Sequence, residues 1–241
     1  MINCQNCNTA ATGNFCGNCG QNLELKRIDR NYAKNEILSL LGYEKGFVFT
    51  VKELCLRPAQ TISYYLYKNR VRLTKPVTFL ILSSVIYTLI AHYFQVDLKV
   101  EELYKQYYGD SSIVSVFSWV QNNFGYSNLL VLVFIAFWIR IFFKKYPYNF
   151  YEIIVMLCFV IGQGMLILSI DPIISRYFND LTISTLIYSF SFVYMSFAIG
   201  SFFERKFSNY LKAFFAYILG MVSLNVLLLI GAIVFDVITK K

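Results

Sequence analysis

Five near-continuous apolar runs, at about residues 77–96, 127–143, 151–170, 181–203 and 211–235, constrain this chain more than any other feature. A helix needs about 20 mostly apolar residues to cross the roughly 30 Å hydrocarbon core of a bilayer, where its backbone must be satisfied internally. Runs of this length predict a multi-pass helical membrane domain over residues 77–238. The composition agrees: 57% of residues are hydrophobic, only 15% are charged, and the mean hydropathy is +0.51. An ordinary soluble domain carries about 25% charged residues. The second run, at 17 residues, is near the lower limit for a span, and Trp138 and Arg140 can anchor or snorkel at its end.

The net charge of +8 raises the question of a nucleic-acid partner, which the placement of the charges answers. No Lys or Arg precedes Lys26, and most basic residues flank the apolar runs, the pattern that orients spans with cations on the cytoplasmic side. With the N-terminus inside, 17 of the 22 Lys and Arg residues are cytoplasmic and five (Lys99, Lys105, Arg176, Lys240 and Lys241) lie outside. The cluster Lys68, Arg70, Arg72 and Lys75 decides the count. The charges are therefore read as a topology signal and as contacts with anionic lipid headgroups, not nucleic acid. The first 30 residues lack the apolar core of a signal peptide. The expectation is a multi-pass protein of the inner (cytoplasmic) membrane with its N-terminus in the cytoplasm. Five spans put the C-terminus outside; an even number would bring Lys240 and Lys241 in.

Residues 1–22 carry a different signal. Cys4, Cys7, Cys16 and Cys19 form a CxxC, eight residues, CxxC arrangement. Each CxxC makes a tight turn with two sulfurs pointing the same way, so two turns can surround one tetrahedral ion. Gly17 and Gly20 are expected to serve these turns. A thioredoxin-like redox motif needs one CxxC near a βαβ pattern, which is missing here. Disulfides need an oxidising compartment. Four thiolates accept iron as well as zinc; ligand set and spacing favour one structural zinc, with no ligand position left open for catalysis. About twenty residues cannot bury a core, so the ion should supply most of this unit's folding free energy. Without nearby cations the ribbon is unsuited to phosphate backbones, and a protein partner is the expectation.

Residues 23–45 read as a charged connector with a short amphipathic helix carrying Ala33, Ile37, Leu40 and Leu41 on one face. Residues 46–76 carry two apolar stripes, Phe47, Val51, Leu54 and Cys55, then Ala59, Ile62, Tyr65 and Leu66, broken by Arg57-Pro58. Both pieces are too short to span. They fit amphipathic interfacial helices lying along the inner leaflet or a two-helix cap packed on the bundle.

In this stretch Thr50, Leu54, Pro58, Tyr65, Leu66, Lys68, Arg70 and Pro76 stand in an order that, together with the cysteines, resembles the bacterial membrane proteins grouped as domain-of-unknown-function family 3667. The resemblance covers roughly residues 1–85. Ala59 and Tyr67-Lys68-Asn69-Arg70 depart from the family's usual Pro-Gly and Gly-Lys-Arg. It implies an inner-membrane protein with an N-terminal zinc ribbon and brings no catalytic residues.

Within the spans, Gln163 and Asn225 are the intramembrane polar candidates, able to bond across helices or to line a polar path. Glu152 is expected to salt-bridge at headgroup level. Ser196 and Gly200, and Ala216 and Gly220, are small-xxx-small pairs that let helices approach. The chain shows no paired broken helices of the transporter type, and no HExxH, GxSxG or Walker loop. The fold expected is an all-α integral membrane protein of about five spans, with interfacial helices and a small ribbon before them. The function expected is a non-enzymatic anchor or adapter. A small transporter or channel component using Gln163 and Asn225 is the alternative.

Overall fold

A computed structural model describes residues 2–20, 23, 46–94, 106, 112–122, 124–178 and 181–239. The amphipathic helix expected around Ala33–Leu41 lies outside these residues, as do Lys240 and Lys241. The chain divides into two compact units, Met1–Leu41 and Gly42–Lys241.

In the first unit, β1 (Ile2–Asn3) pairs antiparallel with β2 (Ala10–Ala11), Ile2 opposite Ala11 and Asn3 opposite Ala10. Among the described residues of this unit the buried hydrophobic ones are Cys4 and Cys16, with Cys7 and Leu23 packed partly against them.

The second unit is helical: α1 (Phe47–Leu56), α2 (Pro58–Tyr67), α3 (Pro76–Tyr93), α4 (Ser112–Asn122), α5 (Phe124–Phe142), α6 (Phe150–Leu168), α7 (Ile170–Ser175), α8 (Leu181–Phe203) and α9 (Phe207–Thr239). Proline sets two of these starts. Pro58 and Pro76 are the first residues of α2 and α3, where the missing N–H costs nothing and the fixed φ suits a helix. Asn149 starts α6 through a reciprocal capping box with Glu152.

Among the described residues four helical stretches are long and apolar enough to cross a membrane: Pro76–Tyr93, Phe150–Ser175, Thr182–Phe203 and Phe207–Val234. Ser127–Phe142 is a shorter apolar helix, at the run that the sequence marks as the shortest. The protein is thus an all-α membrane protein whose helices cover each of the five apolar runs.

The bundle is organised on α6, whose residues Met156–Met165 are buried without a break. Glycines set the close approaches. A Cβ on Gly162 would meet the Phe79 ring at 2.8 Å, and one on Gly220 would lie 2.7 Å from the Ile135 Cα. Gly200 is as tight against the Tyr210 backbone, at 2.9 Å from its Cα. The second residue of each small-xxx-small pair therefore marks a helix contact.

Phe79 lies three residues into α3, yet the Gly162 it covers lies twelve residues into α6. The first span therefore enters beside the second half of α6, offset by about 13 Å at 1.5 Å per residue. The α1–α2 hairpin fills the space beside the first half: Tyr65 packs edge-on against Phe159 with ring centroids 5.2 Å apart, and Tyr67 reaches Tyr148 and Glu152. Of the two arrangements open for residues 46–76, this is a two-helix cap on the bundle. Of its apolar stripes Leu54, Ile62, Tyr65 and Leu66 are buried against protein, while Cys55, Lys52, Arg57, Gln60 and Lys68 are exposed.

Candidate metal centre and a hairpin recess

The two cysteine knuckles are near copies. Asn8 N–H donates to the Cys4 carbonyl at 2.8 Å, and Gly20 N–H donates to the Cys16 carbonyl at 2.8 Å. The residue after each CxxC is left-handed, Asn8 at φ 55° and Gly20 at φ 74°. Gly and Asn are the residues that tolerate this region best. Gly20 serves as expected. Gly17 is not left-handed, and Asn8 takes the corresponding place in the first knuckle.

These turns bring the four sulfurs within 4.8 Å of one another, with Cys4–Cys19 and Cys7–Cys16 at 3.5 Å. A disulfide would require about 2.05 Å, and none of the four is in a disulfide. A tetrahedron of thiolates about 2.3 Å from a central ion has edges of about 3.8 Å, so the donor set fits one metal ion. Backbone N–H groups of Cys7 and Asn6 hold the Cys4 thiol below its ordinary pKa. The Thr9 hydroxyl, then the Thr9 amide, lower that of Cys7 to about 6. Both shifts favour the thiolates that a metal needs.

In the second unit, the residues of the family resemblance form the joints of the hairpin. Thr50 is fully buried; its hydroxyl donates to the Gly46 carbonyl at 2.8 Å and accepts from Thr74 N–H at 3.0 Å. One side chain thus ties α1 to the segment leading into α3. Pro58 has no N–H for the Leu54 carbonyl four residues back, and the Tyr194 hydroxyl of α8 donates to that carbonyl at 3.0 Å. The helix break becomes a link between hairpin and bundle. Leu54, Pro58, Tyr65, Leu66 and Pro76 are buried. Arg70 Nη2 donates to the Leu66 carbonyl at 3.3 Å, closing the end of α2, and exposed Lys68 follows its last residue. Cations suit that end of the helix dipole.

On its polar side the hairpin encloses a recess of about 210 Å³, lined by Phe49, Glu53, Arg57, Gln60, Thr61, Tyr64, Arg72 and Leu73. The Arg72 guanidinium sits 4.8 Å from the centroid of the Phe49 ring.

The two intramembrane candidates are not brought together. Gln163 is buried, and its Nε2 donates to Cys55 Sγ at 2.9 Å while its Oε1 has no partner. Asn225 Nδ2 donates to the Met221 carbonyl of its own helix at 2.8 Å, so its amide is used locally. Neither lines the recess. Among the described residues Glu152 has no ion pair; its carboxylate accepts from Asn149 N–H at 2.8 Å and from the Tyr67 hydroxyl at 3.2 Å. Burial, then the neighbouring carboxylate, pushes the Tyr67 hydroxyl up to about 12, which keeps it a donor. The Asn-x-x-Glu spacing of a capping box was the signal in the sequence for Glu152.

A family model described as a protein of unknown function, DUF3667, matches residues 44–88, the stretch that holds the hairpin, all eight recess residues and most of α3. The cysteine knuckles lie outside that match. No curated protein and no solved structure matches the chain.

Proposed function

We propose that this chain is a non-enzymatic adapter of the bacterial inner membrane, in which the helical domain anchors a zinc ribbon that contacts a cytosolic protein. The observation that carries the reading is the convergence of four cysteine sulfurs within 4.8 Å. Four thiolates complete a tetrahedral shell around zinc, and a closed shell builds a fold without activating a water. A unit whose core is its metal site spends its surface on contact, and the exposed Phe15 beside Cys16 offers an apolar side chain for one. The excess of Lys and Arg before the first span supports a cytoplasmic N-terminus.

The test has three parts. Elemental analysis of the purified protein should return one zinc per chain; iron would change the metal but not the role. Reporter fusions after Asp110 and at the C-terminus should both read as external. Replacing Cys16 and Cys19 by Ser should abolish partner co-purification and leave membrane insertion intact. An unchanged set of co-purifying proteins would sink the adapter reading.

A further inference from the structure

We propose that the recess on the α1–α2 hairpin binds a single phosphate group, presented by a phospholipid headgroup or by a small phosphate in solution, between Arg57 and Arg72. Residues 46–76 carry six cations and one carboxylate, and two of the cations line this one cavity. Guanidinium groups are the side chains that meet phosphate oxygens with two parallel N–H donors. Arg72 is held over the Phe49 ring at 4.8 Å, a contact that limits its freedom before any anion arrives. Arg57 sits at the break between the helices. Among the described residues no ion pair to Arg57 or Arg72 is found, so both charges remain available.

The rest of the lining suits the same guest. Arg57 is the N-cap of the ten-residue α2 and Gln60 lies in its first turn, the end where the helix dipole is positive, although the Arg57 and Thr61 amides are already given to the Glu53 and Arg57 carbonyls. Gln60 and Tyr64 add neutral donors. Thr61 gives its hydroxyl to the Glu53 carbonyl at 3.3 Å and so helps hold the corner rather than compete for the ligand. A volume of about 210 Å³ admits a phosphate with its ester substituent, and Leu73 and Phe49 provide an apolar wall. Glu53 is the single carboxylate in the lining. Its sign opposes an anion, so it serves as an internal check: removing it must strengthen binding if the guest is a phosphate.

The experiment uses the purified full-length protein in a nonionic detergent, titrated calorimetrically with four probes: a short-chain phosphatidylglycerol, the matching diacylglycerol, glycerol phosphate and inorganic phosphate. A phosphate-bearing probe should bind at one saturable site. Arg57→Gln and Arg72→Gln should each weaken it by about tenfold, the scale of a lost charge-assisted hydrogen bond. Lys52→Gln, which removes a charge from the same hairpin outside the recess, should change it less than about twofold. Glu53→Gln should tighten it. If phosphatidylglycerol binds and the free phosphates do not, the guest is a lipid headgroup; comparable binding of glycerol phosphate or inorganic phosphate makes it a soluble one. The proposal is overturned if diacylglycerol binds as well as phosphatidylglycerol, if Lys52→Gln costs as much as Arg57→Gln, or if no phosphate-bearing probe binds. Arg72→Gln also removes a ring contact, so the exposed Arg57 decides the matter should that variant fold poorly.

Discussion

The two units of this protein solve the problem of a core in opposite ways. Around the knuckles the buried hydrophobic residues, among those described, are two cysteines, with Cys7 and Leu23 packed partly against them. The helical unit buries Phe79, Phe143, Phe159 and a long series of aliphatic side chains, and brings backbones together at glycine. On the proposed reading, the first depends on a bound ion and therefore on chelators and protons. The second depends on shape, and its weak points are places where no extra atom fits.

The largest effect that separates them is metal removal. Structural zinc sites contribute about 10–16 kcal/mol, so a strong chelator should abolish amide protection over residues 2–20 while helical circular dichroism is retained. Loss of both signals together, or protection that survives without metal, would break the contrast. Acid should produce the same loss by degrees. The Cys7 thiol is depressed from 9.0 to about 6 in the folded unit, so its stabilising contribution is complete above the unfolded value and disappears as the pH falls through about 6. Metal affinity should drop steeply below that point, measured by competition with a chromophoric chelator, and equal affinity at about pH 5 and pH 7 would contradict it.

In the helical unit the corresponding lesion is a methyl group. Gly220→Ala places its Cβ 2.7 Å from the Ile135 Cα, a backbone atom that cannot turn aside, whereas a Cβ on Gly231 meets nothing within 4 Å. Overpacking should cost about 1–3 kcal/mol at the first position and almost nothing at the second, read from thermal inactivation in detergent. Equal melting of the two variants would show that the contact is not tight. The smallest effect is Tyr194→Phe, which deletes the donor to the Leu54 carbonyl and should cost about 0.5–1.5 kcal/mol. Its mark should be faster proteolysis across Leu56–Pro58 with the bundle still folded; unchanged cleavage would mean that the hairpin does not depend on this link.

Much of this was legible because it rests on local rules. Apolar runs long enough to span, prolines that start helices and the paired CxxC spacing each act over a few residues, and the helices and knuckles lie where these signals stand. The capping box at Asn149 and the left-handed Asn8 are equally local: Asn is as good an N-cap as Ser, and after Gly it is the residue that best tolerates positive φ. What the sequence could not disclose is what lies far apart in it. Tyr194 reaches a carbonyl 140 residues earlier, and Gln163 reaches Cys55 across 108. An apolar stripe looks the same whether it meets lipid or protein, so the cap and the interfacial helix were indistinguishable until Thr50 and Leu54 proved fully buried. The recess brings together Arg57, which precedes α2, and Arg72, which follows it, a pairing that no periodicity encodes.

The offset between α3 and α6 gives the membrane domain an uneven height. On α3, Val77, Ile81, Val85 and Leu89 form an exposed apolar stripe that begins one residue after Pro76. On α9 the exposed apolar residues begin at Phe207, close in sequence to Phe202 and Phe203, which pack on Tyr148 at the start of α6. The span α3 therefore starts about 13 Å further along the bundle than α6, and where the hairpin takes its place the apolar band of spans is that much shorter. A bilayer answers such a mismatch by thinning or by tilting the protein, at a cost of fractions of a kcal/mol per Å. The hairpin wall would then draw the leaflet on its side into a local depression, and the protein would favour thin or curved membrane over flat bilayer.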